Sequence, residues 1–96
     1  MHVISRKSLS EFWQRRPDSE QALKAWFHEA RTAGWRSSAD LKKQYGTASI
    51  INAERVVFNI CGNKYRLITR IRYDWKLLNI RCVLTHSEYD RDTWKE

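Results

Sequence analysis

Nowhere does the sequence approach the roughly 18–20 consecutive apolar residues that cross a bilayer, and no apolar stretch follows its amino terminus as in a secretory signal. A membrane partner is therefore not expected, and the expected location is the cytoplasm. Only two cysteines are present, Cys61 and Cys82, without Cys-x-x-Cys or histidine-ligand spacing. They read as free thiols in a reducing compartment, and neither a metal site nor any other cofactor is expected. Gly-x-Ser-x-Gly, Walker and His-Glu-x-x-His patterns are missing, which excludes hydrolases built on a serine nucleophile, a nucleotide loop or zinc. Acid is scarce in one region above all: residues 55–85 hold seven Lys and Arg against Asp74 alone, a net +6, whereas residues 1–54 carry +3 and residues 86–96 carry −2.

What is present suits one compact domain over residues 1–96, with 42% hydrophobic residues and five tryptophans. Helical periodicity comes first and strand alternation second, an α+β order. His2 to Ser5 could form an edge strand. Leu9, Phe12 and Trp13 share one face of a helix that Pro17 ends, with Ser5 or Ser8 as its cap; Leu23, Trp26, Phe27 and Ala30 stripe a second helix that runs to Gly34. A short third helix is expected between Ser37 or Ser38 and Gly46.

From Arg55 the period becomes two. Val56, Phe58 and Ile60 alternate with Val57, Asn59 and Cys61; a tight turn at Gly62 and Asn63 follows; Tyr65, Leu67, Thr69, Ile71 and Tyr73 then alternate with Lys64, Arg66, Ile68, Arg70 and Arg72. After a turn near residues 74–76, Leu78, Ile80, Cys82 and Leu84 alternate with Asn79, Arg81, Val83 and Thr85. This is a three-stranded antiparallel meander with one oily and one basic face. The helices cover the oily face, so the basic face is expected to stay open, with Arg66, Arg70, Arg72 and Arg81 gathered in one concavity. Crowded guanidinium groups with no acid between them point to an anion, and their planar forks fit phosphate.

The segment "THSEYD", Thr85 to Asp90, begins where the third strand ends. Thr85 and Glu88 have capping-box spacing, which accounts for both structurally, and the short helix they open would hang His86 and Tyr89 over the basic face. Arg, His, Tyr and Lys suffice for metal-free RNA cleavage, in which the 2′-hydroxyl attacks its own phosphate. The same arginines would equally serve a non-catalytic RNA- or ribosome-binding module.

"RVVFNICGNKYRLITRI" followed by "IRCVLTHSEYD" resembles the HigB family of toxins from type II toxin–antitoxin systems, a branch of the RelE-like mRNA interferases. The likeness extends over essentially the whole chain. It departs at Cys61, where the family often has glycine. The resemblance implies a RelE-like fold, ribosome-dependent cleavage of mRNA that blocks translation, and neutralisation by a HigA-type helix-turn-helix antitoxin. It also implies catalytic roles for Arg66, Arg70, Arg81, His86 and Tyr89, with Asn59, Asn63, Lys64, Arg72 and Lys76 as RNA contacts.

Overall fold

The computed structural model describes residues 1–91 and Trp94. Along the chain come β1 (His2–Ile4), α1 (Lys7–Arg15), a 3₁₀ turn (Pro17–Ser19), α2 (Glu20–Thr32), α3 (Ser38–Gln44), β2 (Ser49–Ile50), β3 (Arg55–Ile60), β4 (Tyr65–Arg72), β5 (Leu77–Thr85) and α4 (His86–Asp90). The strands form one sheet in the order β1-β5-β4-β3-β2. The meander β3-β4-β5 lies at its centre as the alternation predicts. β1 joins as an edge strand parallel to β5, and β2 adds a fifth strand too short to leave a pattern in the sequence. No helix among the described residues is long and apolar enough to cross a membrane.

One sheet face is covered by the helices. Leu9 and Phe12 of α1 and Leu23, Trp26 and Ala30 of α2 pack on Val56, Phe58, Ile60, Leu67 and Ile71. Aromatic edges lock the layers: Trp26 meets Phe58 at 5.3 Å and Phe12 meets Tyr65 at 5.1 Å. Trp13 and Phe27, at the rim of their stripes, are only half-buried, and cations cover the exposed ring faces, Lys24 over Trp13 and Arg6 over Phe27. Thr69 sits in this core at 0% exposure because its hydroxyl donates to the Val56 carbonyl at 2.8 Å.

Several local expectations are corrected. Neither Ser5 nor Ser8 caps α1: Ser5 takes φ 67° and its hydroxyl donates to Asn79 Oδ1 at 3.2 Å, so it serves the β1–β5 junction instead. Ser37 does cap α3, accepting the Asp40 N–H at 3.4 Å. The β3–β4 connection is longer than a two-residue turn. Ile60 pairs with Tyr65, leaving residues 61–64 as the loop, with Cys61 at φ 53° and Gly62 at φ 66°. The position where the family often has glycine is thus one in the left-handed region.

The largest correction concerns β5. Ile68 pairs with Cys82 and Thr69 with Ile80, so Arg81 is an extra residue in a β-bulge. Alternation reverses across it: Leu78, Ile80 and Val83 face the helices, not Leu78, Ile80, Cys82 and Leu84. Arg81 consequently lines a hollow with Ser8, Glu11, Phe12 and Arg15 on the α1 side, away from Arg66, Arg70 and Arg72. The second face is not uniformly basic either. Val57 and Ile68, cross-strand partners in its middle, are buried to 1% and 2% exposure. They form an apolar row between Arg66 and Arg70, which stand about 13 Å apart along β4 at roughly 3.3 Å per residue.

Candidate active site

At the end of β5, Thr85 is still paired with Tyr65 in the ladder and caps α4. Its hydroxyl accepts the Glu88 N–H at 3.3 Å, and the Glu88 carboxylate accepts the Thr85 N–H at 2.9 Å. These bonds, the backbone one foremost, hold the Glu88 carboxyl below its ordinary range. The His86 N–H donates to the Lys64 carbonyl at 3.2 Å, tying the new helix to the β3–β4 loop. A helix of five residues is thereby fixed at both its cap and its first residue.

His86 and Asp90 lie one turn apart, with Nδ1 at 2.9 Å from Oδ2. A carboxylate at Nδ1 selects the tautomer carrying its proton there, which leaves Nε2 as the ring nitrogen able to exchange a proton with a substrate. Asp90 therefore serves His86 rather than a neighbouring arginine. Tyr89 lies on the adjoining flank of α4. The Arg66 guanidinium stands 5.4 Å from its ring centre, and the Trp94 indole stacks on it at 4.9 Å and 14°. Trp94 Nε1–H donates to the Tyr89 carbonyl at 2.9 Å.

Arg66 is aimed by the loop before it, its guanidinium donating to the Asn63 carbonyl at 2.8 Å and the Tyr65 carbonyl at 3.3 Å. Among the described residues no carboxylate pairs with it. Asn59 is its cross-strand partner and anchors the preceding loop, Nδ2 donating to the Thr47 carbonyl at 3.3 Å. Lys64 is ion-paired with Asp18, whose other oxygen accepts the Tyr65 hydroxyl at 2.7 Å. Lys64 and then Tyr65 hold the Asp18 carboxyl low, and the same ion pair pushes the Lys64 ammonium up.

The far end of β4 differs. Arg70 binds Glu54 at 2.7 Å, and Arg72 reaches Glu54 at 3.5 Å and Asp74 at 3.6 Å while stacking on Trp75 at 4.1 Å. The expectation of arginines free of acid is corrected here, because Glu54, just before the acid-poor region, folds back over it. Lys76 takes φ 54° in the β4–β5 turn and sends its ammonium to the Trp35 carbonyl at 3.3 Å, on the helix side. So Arg66, Tyr89, Asn59 and Asn63 come together, whereas His86, expected over the basic face, lines the other flank of α4 with Asp90, Lys64, Tyr65 and Arg16; Arg70 and Arg72 form a separate group, and Lys76 and Arg81 belong to none of these.

Sequence reading missed Arg16, Asp18, Glu54 and Trp94 as members of these groups. Asp90 is legible from its four-residue spacing to His86. Asp18 is not: it meets Lys64 from 46 residues away. Among the described residues no group of three or more His, Cys, Asp or Glu side chains gathers that could hold a metal ion.

This arrangement can be set beside known proteins. The HigB_toxin family, described as the RelE-like toxic component of a toxin–antitoxin system, matches residues 19–92. The mRNA interferase toxin HigB of Escherichia coli (strain K12) is 26% identical over 92 residues, covering 94% of this chain and 88% of that protein. The mRNA interferases HigB of Escherichia coli O157:H7 and Shigella flexneri match to the same extent. The chain belongs to the HigB toxin family, the RelE-like toxic component of a toxin–antitoxin system.

Proposed function

We propose that this toxin is an endoribonuclease that cuts mRNA and so stops translation. The observation that carries the reading is the cluster around α4: a histidine with its tautomer set by Asp90, an arginine without a carboxylate partner, and an aromatic plane, all at one sheet end. In the reaction the 2′-hydroxyl loses its proton and O2′ bonds to the adjacent phosphorus. The P–O5′ bond breaks and the leaving O5′ is protonated, giving a 2′,3′-cyclic phosphate and a 5′-hydroxyl. His86 is the proton-transfer group through Nε2. Arg66 neutralises charge building on the phosphorane. Tyr89 orients a base, with Asn59, Asn63 and Lys64 framing the strand.

Arg70 and Arg72 contact RNA farther from the cut, exchanging Glu54 for phosphate. Lys76 and Arg81 have no part in this reading, since their surroundings lie on the helix side. The working unit is the whole chain as one RelE-like domain, its substrate is mRNA on the ribosome in the cytoplasm, and its inhibitor is a HigA-type helix-turn-helix antitoxin. The test is to induce the gene and map mRNA 5′ ends, then repeat with purified chain and RNA, with and without translating ribosomes. New 5′-hydroxyl ends that require ribosomes are expected. Intact messages despite arrested translation would assign the chain to a non-catalytic blocking module.

A further inference from the structure

On the flank of α4 that His86 and Asp90 share, a hollow of about 420 Å³ opens toward Arg16, Lys64 and Tyr65. Two hydrogen-bond donors already converge there on one anion: the Lys64 ammonium and the Tyr65 hydroxyl both reach the Asp18 carboxylate. A phosphate oxygen pair presents the same acceptors to the same donors. The ion pair is at the surface, the Lys64 side chain 60% and the Asp18 side chain 45% exposed, so water solvates either partner when they separate.

Arg16 supplies a cation that the Asp18 pair leaves unused; among the described residues no carboxylate pairs with it. Its backbone is fixed although its side chain is exposed. Pro17 follows it and ends α1, and the fully buried Ser19 donates to its carbonyl from Oγ at 2.7 Å and from N–H at 3.0 Å. The joint between α1 and α2 therefore holds the Arg16 backbone beside a hollow that His86 also lines.

We propose that this hollow binds a phosphodiester of the RNA strand next to the one cut at His86, with Arg16 as its clamp and Asp18 as an internal stand-in that the incoming phosphate displaces from Lys64. The inference rests on the ribonuclease reading above for the identity of the polyanion, and His86, shared by both places, makes the strand continuous between them. RNA binding then exchanges one anion for another at Lys64 and gains a new ion pair at Arg16.

The two residues are predicted to act in opposite directions. The measurement is the Kd of the full chain for a short single-stranded RNA carrying 2′-O-methyl riboses, which cannot be cut, over a salt series. Arg16→Ala should weaken binding about tenfold and flatten the slope of log affinity against log salt by about 0.7, one phosphate contact on a single strand. Asp18→Asn, which keeps an acceptor for the Tyr65 hydroxyl, should tighten binding about threefold. A misfolded variant would loosen in both cases, so the opposed signs separate binding from folding.

Unchanged affinity and slope in Arg16→Ala, or weaker binding in a folded Asp18→Asn, overturns the proposal. So does a wild-type chain that leaves this RNA unbound at low salt. If Arg66→Ala weakens binding while both hollow variants match wild type, the hollow is rejected and the cleavage reading stands. If the hollow variants behave as predicted but no message is cut, the cleavage reading fails and the phosphate site remains.

Discussion

At one end of β4, Arg66 sits against Tyr89 with its guanidinium held by backbone carbonyls; at the other, Arg70 and Arg72 share Glu54. Both ends carry the same residue type on the same sheet face, separated by the buried row of Val57 and Ile68. The difference is in who answers the charge. Glu54 precedes β3, and its carbonyl accepts the Ile71 N–H at 2.7 Å, which brings its carboxylate between the two arginines. Exposed ion pairs of this kind add little to stability, roughly 0–1 kcal/mol, but they decide whether an incoming phosphate meets a bare cation or must first replace an acid. Density of positive charge alone does not identify a site. Its unanswered part is what separates the two ends.

The comparison can be broken most decisively at His86. His86→Gln should slow mRNA cleavage by about 10²–10⁴-fold, the usual worth of a positioned acid or base, while leaving the circular dichroism spectrum unchanged. An unaltered cleavage rate would remove His86 from the reaction and the α4 end from its special status.

The next effect sets the two ends against each other directly. Arg66→Ala should cost about 10²–10³-fold in cleavage and relieve growth arrest on induction, as loss of one charge-stabilising donor does. Arg70→Ala should cost under about tenfold, since its charge is largely spent on Glu54. Equal losses from the two variants would mean that the Glu54 pairing opens before chemistry and that the ends are equivalent.

Smaller effects fall on the scaffold. Thr85→Ala removes one half of the capping box and should lower stability by about 1 kcal/mol in denaturant unfolding, with cleavage falling only as α4 frays. No change in the unfolding midpoint would show that the tie between His86 and Lys64 holds α4 unaided. Cys61→Gly replaces a left-handed cysteine, relieving about 1–2 kcal/mol of strain against about 0.5–1 kcal/mol of added chain entropy, so a gain of about 0.5–1 kcal/mol is expected. A loss instead would assign more weight to the Cys61 Sγ contact with the Asp18 carbonyl at 3.5 Å.

Periodicity placed α1, α2 and the β3-β4-β5 meander, because burial of one face imposes a period on the residues that make it, and the capping residues Ser37 and Gly46 placed α3. The capping box and the cluster of His86 and Tyr89 were legible for the same reason: they follow from spacing within one turn. The bulge at Arg81 was not, since one extra residue in β5 is defined only by its register against Ile68 and Thr69, and it moved an arginine from one face to the other. Nor could the sequence show that Asp18 and Glu54 would answer Lys64 and Arg70, for these acids arrive across loops and strands. Local spacing determines which groups a chain possesses and which way a strand or helix turns them; whether a charge is left unpaired depends on contacts between distant segments, and only the packed chain decides those.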